Sequence, residues 1–140
     1  MIVVDTNSLR YWARRVEKSI HWFEANRPSV VVPWVVLLEL KRQVTKNLIA
    51  PDAYLFAKMF RRYYPADMNR FTLDTERYLD QLVFGRDPIL EIPDLLILRS
   101  AAELGASLCT NDSKLVHAAQ NAGIGVYRCD WVIDLNRPKN

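Results

Sequence analysis

The chain has 140 residues, half of them apolar and a quarter charged, with a formal net charge of +3. These values suit one domain over residues 1–140, whose core needs neither a disulfide nor a structural metal. The longest apolar run, residues 30–38, is much shorter than the roughly 20 residues that cross a membrane, and no cationic start followed by an apolar segment marks a signal peptide, so we expect a cytoplasmic protein with no membrane attachment.

The first predicted element is a strand at the amino terminus. Residues 1–4 are apolar and include two valines and an isoleucine, which indicates a strand buried on both faces. The strand stops at Asp5, and residues 6–8 are all good helix N-caps, so a helix should follow directly. Apolar residues then recur at three- and four-residue steps over 9–23, which predicts one amphipathic helix that ends near residues 26–28.

The middle of the chain is predicted to alternate in the same way. Residues 30–32 indicate a second strand, and Pro33 suits the first turn of the helix that follows. The remaining predictions are a helix over 34–44, a second helical segment over 52–64, a short extended piece at 71–73, a helix over 74–83 and a loop at 85–88.

The last third repeats the pattern. A helix over 92–104 should end at Gly105, followed by a strand at 106–110, a helix over 114–121, a strand at 125–129 and a frayed tail from residue 130. Strands that alternate with helices predict an α/β fold, with three α/β/α layers and a central parallel sheet of about five strands joined by right-handed crossovers.

Four acidic residues share one kind of position. Asp5 and Asp112 come directly after strands, and two more stand in the early turns of helices that begin at strand ends or loops: Glu39 and Asp94. Because the carboxyl ends of parallel strands lie at one rim of a sheet, all four can converge. Two unit charges 4 Å apart repel by roughly 4 kcal/mol at an effective dielectric of 20, so such a cluster needs a cation or protons. Oxygen ligands without His or Cys favour Mg²⁺ or Mn²⁺ over zinc.

Two of the acids also have an ordinary structural interpretation. Glu39 can be held by a Lys or Arg ion pair, and Asp94 can be a simple partner of the helix dipole. The basic row Arg10, Arg14 and Lys18 can be a solvated face or a phosphate-binding face. Aromatic and basic residues interleave over 52–64, which fits either base stacking or plain helix packing.

The remaining candidates for chemistry favour structural roles. Cys109 and Cys129 lack metal-ligand spacing, so we expect two buried free thiols. His21 and His117 have no partner at a catalytic spacing, and no Ser-His or Cys-His arrangement is present, so no nucleophile on the protein is expected.

The acids and their neighbours, in order, resemble the PIN domain. The resemblance covers essentially the whole chain and is closest to the small VapC-like toxins of bacteria and archaea. It rests on Asp5-Thr6-Asn7, Leu38-Glu39-Leu40, Pro93-Asp94 with Ala101-Ala102, and Thr110-Asn111-Asp112.

The resemblance implies a Mg²⁺- or Mn²⁺-dependent endoribonuclease that is homodimeric and inhibited by a small antitoxin protein. It assigns metal binding and catalysis to Asp5, Glu39, Asp94 and Asp112, and hydrogen bonds that orient this group to Asn7 and Thr110. The RNA would be gripped by basic residues near the rim, for which the candidates are Arg14, Lys41, Arg42, Arg61 and Arg62.

Two other functions stay open at this point. One is a PIN-like module that binds RNA or a protein without cleavage. The other is a Mg²⁺ phosphotransferase of the haloacid dehalogenase type, but that chemistry needs a second Asp two residues after the first, where this chain has Asn7.

Overall fold

The computed structural model of the chain describes residues 1–14, 16–83, 90–129 and 131–136, and the predicted loop at 85–88 lies outside these ranges. The strands are β1 (Ile2–Val4), β2 (Val30–Pro33), β3 (Arg61–Tyr63), β4 (Ser107–Thr110), β5 (Val126–Arg128) and β6 (Ile133–Asp134). The helices are α1 (Thr6–Ala13), α2 (Glu17–Asn26), α3 (Trp34–Thr45), α4 (Asp52–Ala57), α5 (Met68–Val83), α6 (Ile92–Leu104) and α7 (Ser113–Asn121), with a 3₁₀ turn at Arg27–Ser29.

One sheet joins these strands in the order β3-β2-β1-β4-β5-β6. The first five run parallel, and β1 lies between β2 and β4, so that Val3 pairs with Val31 on one side and Leu108 on the other. Every residue of β1 and β2 is buried. Successive strand residues point to opposite faces, so both faces of the sheet are covered by helices. The predicted α/β/α fold is confirmed, and the described residues contribute six strands to the sheet.

The sixth strand corrects the prediction of a frayed tail. Ile133 pairs antiparallel with Arg128, and Asp134 pairs with Tyr127. A strand of two residues carries no apolar alternation that a sequence pattern could reveal. Its pairing with β5 is a tertiary interaction.

The single helix predicted over 9–23 is wrong, because the chain forms two helices there. α1 ends at Ala13, and Val16 caps α2 by accepting the N–H of Ser19 at 3.0 Å. The two helices meet the same aromatic ring: Trp12 of α1 stacks on Phe56 with centroids 3.6 Å apart, and Phe23 of α2 lies edge-on to Phe56 at 5.4 Å. The apolar residues of α1 and α2 both recur at helical spacing, and no Gly or Pro marks the break between the two helices.

The segment predicted as a helix over 52–64 also divides. α4 stops at Ala57, and residues 61–63 form an edge strand in which Arg62 pairs with Val32. Arg61 and Arg62 are exposed, so their side chains give no apolar signal, and pairing with β2 overrides local preference. The extended piece predicted at 71–73 is wrong as well, because it lies inside α5, where Asp67 accepts the N–H of Arg70 at 3.1 Å.

An aromatic cluster fills one part of the core. Phe23 is almost fully buried, and its ring lies against Trp22, Phe56, Phe60 and Trp131 with centroids 5.1, 5.4, 5.6 and 6.1 Å away. This ring therefore links α2 to α4 and to the segment around β6.

The Phe23→Ala variant should lose about 3–5 kcal/mol of unfolding free energy, since the four surrounding rings cannot collapse into the cavity. Chemical denaturation followed by circular dichroism measures this loss. The matched control is Leu55→Ala, because Leu55 is largely exposed on α4. It should change the free energy by about 0.5 kcal/mol or less. Equal losses in the two variants would contradict the packing described.

Candidate active site at the rim of the sheet

Asp5 lies where β1 ends and caps α1. Its Oδ1 accepts the backbone N–H of Ser8 at 2.9 Å and the Ser8 hydroxyl at 2.5 Å, and its Oδ2 accepts the Thr110 hydroxyl at 2.5 Å. Its own backbone N–H donates to the Cys109 carbonyl at 3.2 Å. The residue is 4% exposed. Three donors therefore hold this buried carboxylate in one orientation.

Thr110 connects Asp5 to the second acid. Its buried hydroxyl donates to Asp5 and accepts the backbone N–H of Asp112 at 3.1 Å. Asp112 in turn caps α7, with its Oδ1 accepting the Leu115 N–H at 3.0 Å, and its side chain is exposed. The Thr110 hydroxyl thus links the carboxylate that follows β1 to the backbone of the acid that follows β4.

Glu39 and Asp94 reach the same rim from helices. Glu39, in the second turn of α3, accepts the hydroxyl of buried Thr6 at 3.0 Å through its Oε1. Asp94 stands in the first turn of α6, which begins after Glu91. Both side chains are half-buried. We call Asp5, Glu39, Asp94 and Asp112 the acidic cluster.

The acidic cluster is electrostatically strained. Burial and the charges of Asp112, Asp5, Glu39 and Glu91 raise the pKa of Asp94 to about 6.

The same causes act on two other members of the cluster. Burial raises the pKa of Asp5 despite its hydrogen bonds from Ser8 and Thr110. Burial, with the charges of Asp5 and Glu91, also raises the pKa of Glu39 against the effect of the Thr6 hydrogen bond. Burial, with a smaller contribution from neighbouring negative charge, therefore disfavours ionisation of all three carboxyl groups.

No basic side chain neutralises this charge within the ranges that the structure describes. The ion pairs found there join Glu17 to His21 and Asp74 to Arg70 and Arg99, all outside the acidic cluster. An ion pair to Glu39, the ordinary alternative for this residue, is absent from the described part of the chain.

The acidic cluster fits a hard divalent cation by its donor chemistry. Among the described residues, no group of three or more Asp, Glu, His or Cys side chains is placed to hold a metal ion, so the protein side chains alone form no ligand cage. Mg²⁺ does not need such a cage, because it binds through one or two carboxylates together with water and substrate phosphate. A cation would also relieve the repulsion that raises the pKa of Asp94.

Two of the five predicted substrate-binding residues lie in clefts that contain a member of the acidic cluster. Arg14 lies in a cleft of about 440 Å³ that also includes Asn7 and Asp112, and Arg42 shares a cleft of about 250 Å³ with Glu39.

The other three candidates do not line either of these two clefts. Lys41 and Arg62 line a separate groove beside Trp34 and Tyr64, and Arg61 is exposed on the edge strand β3. The structure therefore brings two of the five basic candidates to the acidic cluster.

Three neighbours of the acidic cluster did not emerge from the sequence as site residues. Glu91 adds a fifth negative charge beside Glu39 and Asp94, and Thr6 and Ser8 hydrogen-bond to the acids rather than capping α1. The available signal was that Thr6 and Ser8 follow Asp5 within three residues and that Glu91 stands three residues before Asp94. Hydroxyl groups at a helix start also serve capping, so this signal did not separate the two roles.

The two cysteines lie beneath Asp5. The Ser8 hydroxyl is 2.7 Å from the Cys129 Sγ, which is 3.4 Å from the Cys109 Sγ. Both thiols are free and buried, as predicted. Burial raises the pKa of the Cys109 thiol, which makes it a poor nucleophile.

The histidines lie elsewhere. His21 and His117 are exposed on α2 and α7.

Within the described ranges, no helix has the length and apolar character that crossing a membrane requires.

Solved structures of toxin–antitoxin complexes share this fold. A chain of VapBC-1 from nontypeable Haemophilus influenzae is 20% identical, with a TM-score of 0.68 over 94% of this chain and 98% of that chain. A chain of VapBC2 from Rickettsia felis, bound to a promoter DNA fragment, is 19% identical, with a TM-score of 0.66 over 91% and 98%. FitAcB from Neisseria gonorrhoeae gives 16% identity and a TM-score of 0.62 over 90% and 96%.

These neighbours confirm the resemblance seen in the sequence at the level of the fold. No protein-family model and no curated protein sequence matches the chain.

Thr110→Val should lower the free energy of unfolding by about 1–3 kcal/mol, because it removes the donor to a buried carboxylate while keeping the side-chain shape. Denaturant titration measures the change. Thr45→Val is the matched control, since the Thr45 hydroxyl bonds the Lys41 carbonyl at an exposed site. A similar small change in both variants would show that the Thr110 hydrogen bond does not hold Asp5.

Asp94→Asn should raise the free energy of unfolding at pH 7 in EDTA by about 1–2 kcal/mol, after allowance for solvent screening of a half-buried group. The Asp94 pKa of about 6 lies above the ordinary aspartate pKa of 3.8, so the native state binds more protons between these pH values. The wild type therefore loses stability as pH rises through this window, and the variant does not.

The gain from Asp94→Asn should be nearly absent at pH 4. Asp52→Asn is the control, since Asp52 is exposed in the first turn of α4. This control should show no such gain. A difference between wild type and Asp94→Asn that is constant from pH 4 to pH 7 would contradict the electrostatic account.

Proposed function

We propose that the chain is a Mg²⁺- or Mn²⁺-dependent endoribonuclease that hydrolyses RNA phosphodiester bonds. The observation that carries the proposal is the acidic cluster: carboxylates with raised pKa values on one rim of the sheet, without an ion pair in the described part of the chain. Unpaired carboxylates close together destabilise the folded chain. Binding of a cation that also binds phosphate is a function that explains their presence.

The four acids would have different roles according to their positions. Asp5, fixed by Ser8 and Thr110, and Asp94, whose charge is poorly neutralised, would be the main ligands. Asp112 and Glu39 would complete the negative rim. A bound divalent cation supplies Lewis-acid stabilisation of the phosphate charge and lowers the pKa of a water molecule.

Orientation of the acids comes from hydroxyl groups. Thr110 holds Asp5 and the backbone of Asp112, and Thr6 holds Glu39. Exposed Asn7, beside Asp112 in the same cleft, would hydrogen-bond the substrate or the metal's water. No nucleophile on the protein takes part.

The biological setting we propose is a toxin–antitoxin pair. The supporting observation is that the structural neighbours include VapBC and FitAcB structures, over nearly the full length of both chains. By this proposal the chain acts as a homodimer in the cytoplasm, and a cognate antitoxin protein inhibits it by reaching the acidic cluster.

A second function has one observation in its favour. Because no three of the described acids are placed to hold a metal ion, a module that binds RNA or a protein without cleavage is the second candidate. The raised pKa values weigh against this alternative, since binding alone gives no reason to keep mutually repelling carboxylates together.

The test is incubation of the purified chain, free of partners, with total cellular RNA in Mg²⁺, in Mn²⁺ and in EDTA. Sequencing of the new RNA ends then maps the cleavage sites. We expect discrete ends with either metal and none in EDTA. Asp5→Asn and Asp94→Asn should each reduce cleavage at least about 100-fold, because each removes a ligand charge.

Asp52→Asn is the control for this experiment. It makes the same chemical change at an exposed position on α4, and it should leave the cleavage rate within about twofold of wild type. RNA binding by the folded chain without new ends in either metal would favour the binding module. Cleavage that survives Asp5→Asn would rule out the acidic cluster as the catalytic site.

A further inference from the structure

A polar cleft adjoins the acidic cluster at Asp112 and is not explained by metal binding. Its volume is about 440 Å³, within the range of about 300–1,000 Å³ that holds small ligands. The lining includes Asn7, Arg10, Tyr11, Arg14, Asn111 and Asp112. We call it the α1 cleft, because three of these residues belong to α1 and Arg14 directly follows that helix.

We propose that the α1 cleft binds the nucleotide next to the scissile phosphate of a single-stranded RNA, with Arg10 and Arg14 on phosphates and Asn111 on the base edge. This inference rests on the proposed ribonuclease function and adds the residues that grip and read the substrate.

The two arginines form one basic surface. Arg10 and Arg14 are four residues apart at the end of α1, which places them on one face about 6 Å apart along the axis. The Arg14 guanidinium lies 5.7 Å from the centroid of the Tyr11 ring. Within the described residues neither arginine forms an ion pair, so both charges remain available to an anion.

Asn111 is oriented by its neighbours. The Arg128 Nε donates to its Oδ1 at 3.3 Å, and its Nδ2 donates to the Tyr11 hydroxyl at a long 3.5 Å. The Tyr11 ring itself lies edge-on to Trp131, with centroids 6.2 Å apart. An amide nitrogen carries two N–H groups, and Tyr11 takes at most one. The other N–H can meet an acceptor on an unpaired base.

The position of the α1 cleft favours RNA over an acidic protein segment. Asp112 belongs both to this cleft and to a second cleft of about 380 Å³ that contains Asp94. A strand whose phosphate reaches the cation at the acidic cluster therefore places its adjoining nucleotide against Arg10 and Arg14. A carboxylate-rich peptide would meet the arginines but would lack a base for Asn111.

The experiment measures binding apart from cleavage. Asp94→Asn serves as the background, and fluorescence anisotropy follows a labelled single-stranded RNA of mixed sequence in Mg²⁺ at several salt concentrations. Arg10→Ala with Arg14→Ala should weaken binding about 10-fold and should reduce the slope of log K against log salt by about 1.4, since each phosphate contact on a single strand contributes about 0.7.

The matched control is Arg27→Ala with Arg77→Ala, which removes the same charge at two exposed positions that do not line the α1 cleft. It should weaken binding by about twofold or less. Circular dichroism shows whether each variant is folded. An effect no larger than that of the control overturns the proposal.

Base contact by Asn111 has its own readout. Asn111→Ala should leave the salt slope unchanged but should narrow the differences in affinity among oligo-A, oligo-U and oligo-C. If the differences in affinity among the three oligonucleotides do not change, the proposed contact of Asn111 with the base is wrong.

Competition separates RNA from an acidic protein segment. An oligoglutamate peptide of equal charge should displace the labelled RNA at least about 10-fold less well than unlabelled RNA. Equal displacement overturns the proposal in favour of an acidic peptide site.

The outcome is distinct from that of the ribonuclease test. RNA cleavage by the wild type, with the double variant binding like its control, would overturn only the α1 cleft. Weaker binding by the double variant without wild-type cleavage would overturn only the catalytic function. No measurable RNA binding by the background variant overturns the α1 cleft.

Discussion

The burial of the Asp5 carboxylate is the constraint on which the rest of the site depends. An isolated buried carboxylate costs several kcal/mol, and here the cost is offset by donors from Ser8 and Thr110. Those donors come from α1 and β4, so satisfying one charge fixes the start of the first helix against the neighbouring strand. Thr110 then sets the position of Asp112 through its backbone. The geometry of two acids thus follows from one hydrogen-bonded group.

Stability and function are in conflict at this rim. Burial and mutual repulsion raise the pKa values of Asp5, Glu39 and Asp94, which means that the charged forms destabilise the native chain. An ordinary core would replace these acids or pair them with Lys or Arg. Retaining them unpaired is a cost that a bound cation would remove, and this is the physical reason to regard the rim as a place for chemistry.

The sequence predicted the parts of the fold that rest on long apolar runs. β1, β2 and β4 are buried on both faces and were visible as such, and the acids at their ends followed from the rule for parallel sheets. The break between α1 and α2 was not visible, because the apolar residues recur at the same helical spacing in both helices. The edge strand at Arg61 and Arg62 and the short β6 depend on pairing partners that lie far away in the sequence. For the same reason, five basic residues looked equivalent in sequence, whereas the fold separates Arg14 and Arg42 from Lys41, Arg61 and Arg62.

The central claim is that the acidic cluster is a cation site, and thermal unfolding in the presence of metal tests it most directly. The melting temperature of the wild type at pH 7 should rise on addition of millimolar Mg²⁺ or Mn²⁺, should return to its starting value with EDTA, and should respond much less in Asp5→Asn or Asp94→Asn. A melting temperature that neither metal changes, or that rises equally in wild type and both variants, would contradict the account.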